Sequence, residues 1–367
     1  MNAKERVQAV LNHQVPDRVP MMMSANTWVV EKLKKHLGVS TDRELLRALH
    51  LDVFDMRGID YKGAVAPRFI GPASLGVPAD WCGDVLRLFG YREIVTETVF
   101  GKAYSAGEPC LSACETLEEL QAYPWPQADW FDYSTLRRDL EPWAEEFAIA
   151  ATGASVFQHP TLYRGFERLL VELAAEPAIA HYILDQVTNF YYDYFERVFA
   201  EVGDLIDIFR LADDIGGQEN LLISPKMLRT YLEPRVRRLA DLAHRHGIKV
   251  MFHTDGNVRR VIPDLIAWGV DILDPVQPEV PAMNPAELKQ EFGARLIFSG
   301  GISAQDVLPA GTVDDVRREV QRVLATLGAG GGYLLSPGHP SLQGDIPVEN
   351  IVAMYEAGLE YGHYPTS

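Results

Sequence analysis

The feature that most restricts the fold is a rhythm in the second half of the chain. Five short apolar runs, "LIDIF", "KVMFH", "DILDPV", "LIFSGG" and "GYLLSPG", each lead through a short link into a helix-like stretch. Such strand–helix alternation calls for a parallel sheet. The runs are unbroken and not alternately polar, as strands covered on both faces must be. The helix patterns carry their own boundaries. "SPKMLRTYLEPRVRRLADLAHRHG" opens on Ser224 and Pro225 and stops at Gly247, with Pro234 predicting a kink or break inside it. "TVDDVRREVQRVLATLG" has capping-box spacing between Thr312 and Asp315.

The 367 residues are 47% hydrophobic, enough for one large core. A single α/β domain over residues 1–367, a closed (β/α)8 TIM barrel, fits the length better than an open sheet. A doubly wound fold is the alternative that periodicity leaves standing. In the first half, "DRVPMMM" and "LDVFDMRG" supply the first two strands, and "EEFAIAATGASVFQH" supplies another. Residues 61–126 lack the rhythm and read as an inserted lid or loop region. "AYPWPQADWFDY" reads as a surface crossing.

Charge narrows the partners. Lys+Arg 34 against Asp+Glu 51 gives a net charge of −17, which repels phosphate backbones and anionic lipid. Nucleic acid and membranes are therefore excluded as expected partners. Cys82, Cys110 and Cys114 form a sparse, odd set, read as free thiols in a reducing compartment. The opening "MNAKERVQAVLNHQ" is an amphipathic helix pattern without the apolar run of a signal peptide. The apolar runs are too short to span a bilayer, so the expected location is the cytoplasm.

In a barrel of this kind, chemistry gathers at the C-terminal ends of the strands. Those ends carry Asn26; His159 and Tyr163; Asp213 and Asp214; His253 and Asp255; Gln277; and His339. Gly300 and Gly301 would leave room there for a ligand to approach the backbone. His253 and Asp255 are two apart on an extended chain and point to one side. With His339 from a strand two further round, they form a nitrogen–oxygen–nitrogen set with a fourth position open, as in catalytic zinc sites. A plainer reading also stands: Asp255-Gly256 makes a turn, and a backbone carbonyl satisfies His253. The adjacent acids Asp213 and Asp214 suit a cation, a proton or a cap.

Four stretches resemble the uroporphyrinogen decarboxylase superfamily: "KERVQAVLNHQVPDRVP", the block from "LADDIGGQENLL" through "KVMFHTDGNVRRV" to "DILDPVQP", "GARLIFSGGISAQDVLPAGTVDDVRREV", and "GAGGGYLLSPGHPSLQGDIPVENI". The resemblance runs from Lys4 to Glu360 and implies a single (β/α)8 barrel. True decarboxylases of this family use no metal and grip an acidic tetrapyrrole with an Arg-Gln-Ala-Gly-Arg stretch. Here "PMMMSANTWVVEK" stands in that place, and no arginine lies between Arg18 and Arg43.

The other branch comprises corrinoid-dependent methyltransferases, including methylcobamide:coenzyme M enzymes and aryl-ether O-demethylases. Many bind zinc through a His-x-Cys pair and a later cysteine. His253 falls on the family histidine, Asp255 replaces the first cysteine, and His339 stands near the place of the second. The resemblance thus implies zinc-assisted methyl transfer from a methoxylated or other small methyl donor to a corrinoid carried by a partner protein. Zinc would sit on His253, Asp255 and His339. Asp213 or Asp214 would orient substrate or protonate the leaving oxygen. His159, Tyr163, Gln277 and Asn26 would line the pocket. The lost thiolates argue against a thiol acceptor. Two alternatives remain: a metal-free lyase acting on a carboxylate, with Asp214 and His339 moving protons, and a non-catalytic barrel that binds a corrinoid protein or a metabolite. A homodimer is left open.

Overall fold

Seven parallel strands pair in chain order: β1 Val53–Asp55, β2 Ala148–Ala154, β3 Ile208–Ala212, β4 Lys249–His253, β5 Ile272–Val276, β6 Ile297–Ile302 and β7 Tyr333–Pro337. The computed structural model describes residues 1–365 apart from 60–63, 76, 78–84, 93, 99–100, 106 and 340. Residues 20–23 fill the eighth place. Met22 N donates to Leu335 O at 3.0 Å and Leu335 N to Pro20 O at 2.8 Å, while Asp52 N donates to Met21 O at 2.8 Å. The sheet therefore closes on itself, and the expected barrel forms. Beyond this seam Ser24–Ala25 pairs in parallel with Ser341–Leu342.

The helix signals act as the sequence predicts. Ser224 caps its helix by accepting from Met227 N at 3.2 Å. The chain then passes through a π-helical turn, Leu228–Leu232, before the α-helix Glu233–Arg245 begins. Pro234 lies at the first turn of that helix, where its missing N–H costs nothing. Thr312 and Asp315 form the full capping box.

The barrel interior has two layers. Val53, Ala148, Ala150, Ile208, Met251, Ile272, Ile297 and Leu334 make an apolar lower layer. Val7, Val10 and Leu11 of the helix Ala3–Leu11 pack against it and plug the N-terminal end. Two residues further along the strands, on the same inward face, stand Arg210, His253, Asp274, Ser299 and Ser336, all buried. The change from apolar to polar along one face marks where packing ends and chemistry begins.

The region read as an insertion is only partly loose wrapping. Among the described residues, Ile94–Thr98 pairs antiparallel with Gly101–Ser105, and Arg68–Phe69 with Phe131–Asp132. The expected surface crossing is corrected: Trp125, Ala128 and Phe131 are buried. Phe131 packs edge-on against Tyr194 of the helix Pro177–Val202 at 5.2 Å, so the aromatics cover apolar surface that would otherwise meet water. Buried Arg164 ties a nearby turn to the barrel, pairing with Glu172 at 2.6 Å and donating to the carbonyls of Leu111 and Cys114 at 2.6 and 2.5 Å. Cys110 and Cys114 are free thiols, and Cys82 lies outside the described residues.

The seam depends on Asp52, which is 1% exposed. Its carboxylate accepts from Arg6 Nη1 at 2.7 Å, Arg18 Nη1 at 2.8 Å and Met21 N at 2.8 Å. Asp52→Ala would take the carboxylate partner from nearly buried Arg18 and leave Arg6 with Asp17 alone at the point of closure. The expected loss is about 3–5 kcal/mol, read as a lower denaturant midpoint, with a smaller loss for Asp52→Asn. A midpoint unchanged in Asp52→Ala would refute this role.

Candidate functional site

His253 ends β4 on the inward face. Its Nδ1 lies 3.2 Å from Asp274 Oδ2 on the neighbouring β5. The same carboxylate oxygen accepts from Arg210 Nη2 of β3 at 2.6 Å. Arg210 Nη2 is also 3.2 Å from Nδ1; a guanidinium only donates, so this contact suits an unprotonated Nδ1, whereas the carboxylate, which only accepts, suits Nδ1–H. In the form in which Nδ1–H donates to Asp274, the other ring nitrogen, Nε2, is the acceptor. Burial pushes the Asp274 carboxyl up, yet the Arg210 charge and the His253 hydrogen bond more than reverse this and hold it well below the usual carboxylate range.

Nε2 of His253 faces the mouth. It lies 3.7 Å from Asp214 Oδ1 and 4.0 Å from Asp255 Oδ2. The ligand atoms of Asp214, His253 and Asp255 all fall within 4.8 Å of one another. His339 joins from the flank, with Nε2 at 3.8 Å from Asp255 Oδ2 and Nδ1 at 3.0 Å from Ser341 O. Both imidazoles are thus tethered through Nδ1 and present Nε2 to one carboxylate. Asp255 Oδ1 is buried and has no hydrogen-bond partner among the described residues. Burial raises the Asp255 carboxyl above its ordinary range; the two histidines pull it down, and Asp214 and Asp274 push it further up.

These residues fit a divalent cation. Tetrahedral zinc with bonds of about 2.0–2.2 Å sets ligand spacings of about 3.3–3.6 Å, a small side-chain adjustment from those present. An orphaned carboxylate oxygen beside a second carboxylate is also what a cation would relieve. The set differs from the expected one: Asp214 belongs to the tight cluster, and His339 stands at its edge.

The loops that carry the cluster are braced by buried polar groups. Asp214 Oδ2 accepts from Gln158 Nε2 at 2.6 Å, and Asp214 Oδ1 from Asp255 N at 3.0 Å. Gln277 Oε1 accepts from Gly256 N at 2.5 Å. Gly256 has φ +83°, and a Cβ there would lie 2.5 Å from Gly217 O, so the Asp-Gly turn is needed to interlock with the loop after Asp214.

Other expected site residues serve the frame. Asp213 is wholly buried and accepts from Ser155 Oγ, Val156 N, Phe157 N and Gln158 N at 2.6–2.9 Å. Burial lifts it to about 6 against those four donors. It shapes the 155–158 loop and does not reach the mouth. Asn26 accepts from Val29 N at 2.9 Å and caps the helix Thr27–Leu37. Tyr163 is fully buried, stacked 4.5 Å from Phe89. His159 Nδ1 meets the Tyr191 hydroxyl. Gly300 and Gly301 do not open room for a ligand: a Cβ would lie 2.7 Å from Val276 N at the first and 2.9 Å from Leu327 Cδ1 at the second.

The uroporphyrinogen decarboxylase (URO-D) family model matches residues 145–361, well over half of the chain. The chain belongs to this family. The URO-D match takes in the whole cluster from Arg210 to His339. Among solved structures, a methyltransferase from Methanosarcina mazei is 18% identical with a TM-score of 0.66, covering 98% of this chain and 99% of that one. It shows the URO-D barrel's fold. D-psicose 3-epimerase from Clostridium cellulolyticum H10 matches more loosely, at 13% identity and a TM-score of 0.39, over 66% of this chain and 85% of that one. Among curated proteins nothing matches. No helix among the described residues is long and apolar enough to cross a membrane.

One titration in this URO-D barrel has a definite sign. Burial, helped by the charge of Arg57, pulls His159 from 6.5 to about 3. Between those values the unfolded chain binds a proton that the folded one refuses. Stability is therefore full above about pH 6.5 and is lost as pH falls through the window, by up to about 1.4 kcal/mol per pH unit. His159→Gln should flatten this acid limb in a plot of Tm against pH. An unchanged slope would count against it.

Proposed function

We propose that this URO-D family protein is a metal-assisted methyltransferase. It takes a methyl group from a methoxylated or similarly small donor and passes it to a corrinoid carried by a partner protein. The observation that carries the reading is Asp255 Oδ1, buried without a hydrogen-bond partner among the described residues, beside two imidazoles that each turn Nε2 toward the same carboxylate. A methyltransferase among proteins of the same fold supports it.

Zinc is the proposed metal. His253 Nε2, Asp255 and Asp214 would hold it, with His339 on the open side. Two carboxylates match the charge of a divalent ion, and oxygen and nitrogen donors without thiolate favour a harder ion than a cysteine site would. When bound, zinc supplies Lewis acidity toward an ether oxygen.

The remaining work falls to the chain. Asp214, held by Gln158, fixes one wall of the mouth. His339, whose side chain is 40% exposed, reaches the solvent side of the cluster and can meet a substrate directly. As the C–O bond breaks, its electrons stay on oxygen, which takes the Nε2 proton of His339 in its imidazolium form and leaves that ring neutral with Nδ1–H on Ser341 O, while the methyl group leaves for the corrinoid. The carboxylates of Asp214 and Asp255 repel an anionic substrate, which disfavours decarboxylation of a carboxylate.

Two experiments test this. Purified protein should retain about one zinc per chain after dialysis, and His253→Ala or Asp255→Ala should abolish retention. Undiminished zinc in both variants would defeat the ligand assignment. With reduced cobalamin as acceptor and a panel of methoxylated compounds, the wild type should form methylcobalamin, read by absorbance. His339→Gln should keep its zinc and slow the transfer by about 10²–10⁴-fold. Carbon dioxide release without corrinoid would point to the lyase instead.

A further inference from the structure

Three adjacent strands bring Arg210, His253 and Asp274 together inside the barrel, below the groups that face substrate. Asp274 and His253 are register partners across β5 and β4, and Arg210 is the partner of Met251 across β3 and β4. All three are buried. We infer that Asp274, backed by Arg210, is a positioning residue that holds His253 in its Nδ1–H form with Nε2 aimed at the mouth. The inference rests on the metal-assisted reading for its purpose, but not for its geometry.

The argument is one of degeneracy. An imidazole has two nitrogens of similar basicity, and rotation by half a turn about χ2 exchanges the edges it presents. A ligand or base needs one of these states. Asp274 selects it: a carboxylate 3.2 Å from Nδ1 accepts its proton and offers nothing to donate. Arg210 keeps its shorter contact, 2.6 Å, for the same carboxylate oxygen and stands 3.2 Å from Nδ1. Arg210 also cancels the charge of Asp274, so a cation at the mouth meets only the two charges of Asp214 and Asp255. The three side chains stand on strands, whereas Asp214 and Asp255 stand on loops that can adjust to a bound ion. His253 is then the fixed point of the cluster.

The test uses metal-free, full-length protein labelled with ¹⁵N-histidine, at about pH 8, on the alkaline side of the imidazole range. Long-range ¹H–¹⁵N spectra report which ring nitrogen carries the proton, and loss of one pattern in His253→Gln assigns the residue. The wild type should show His253 as Nδ1–H. Arg210→Met combined with Asp274→Leu removes both charges together, a change that buried ion pairs often tolerate. In that variant the pattern should shift toward Nε2–H, and affinity for zinc alone should fall by about 10–100-fold. Asp274→Asn keeps an acceptor oxygen in place and should preserve the Nδ1–H form. Nε2–H in the wild type, or an unshifted tautomer in a folded double variant, would overturn the inference. A shifted tautomer in a protein that never takes up zinc would uphold the positioning role and sink the metal-assisted reading.

Discussion

Asp52 joins two ends of a sheet that would otherwise lie open. It pairs with Arg18 and, together with Asp17, with Arg6 at the base, and it accepts from the backbone of Met21, the residue that links the first and last strands. Everything above it needs a closed ring. Only in a ring do the inward faces of β3, β4 and β5 look into a common, water-poor space. In that space one ion pair can set the state of one imidazole, because charges interact more strongly where solvent does not screen them.

The two layers divide the labour. Below, aliphatic residues and the plugging helix keep water from entering from beneath. Above, the same strand faces carry Arg210, His253, Asp274, Ser299 and Ser336. Buried polar groups are costly unless satisfied, and these form a connected set: Arg210 with Asp274, Asp274 with His253, and Ser299 with Ser336 at 2.8 Å. Asp255 Oδ1, which has no hydrogen-bond partner among the described residues, lies on the mouth side of the set.

The barrel was legible in the sequence because its signals are local. Continuous apolar runs, caps at Ser224 and Thr312, and the break before Pro234 each depend on a few neighbouring residues. The mouth was legible in part. His253, Asp255, Asp214 and His339 follow from asking what each strand ends in, and the structure brings them together. Asp213 was indistinguishable from Asp214 in sequence: successive residues on extended chain face opposite ways, and only the fold decides which face is the mouth. Asn26 and the glycines at 300 and 301 have local tasks, a cap and a close approach, that look like site features without coordinates. Arg210 and Asp274 escaped notice, although a signal existed for both. A charge inside an apolar run, as in "LIDIFRLA" and "DILDPV", must find a buried partner. Which partner it finds is a matter of register across strands, and no short-range pattern encodes that.

The seam also bears on how the molecule is made. Residues 20–23 leave the ribosome long before Leu335, with which one of their flanks pairs. Until that segment has been synthesised, the growing sheet exposes two unpaired edges, and its half-made interior stays wet. Such a nascent chain offers both an apolar surface and a template for strand addition, the two features that draw chaperones and aggregation alike.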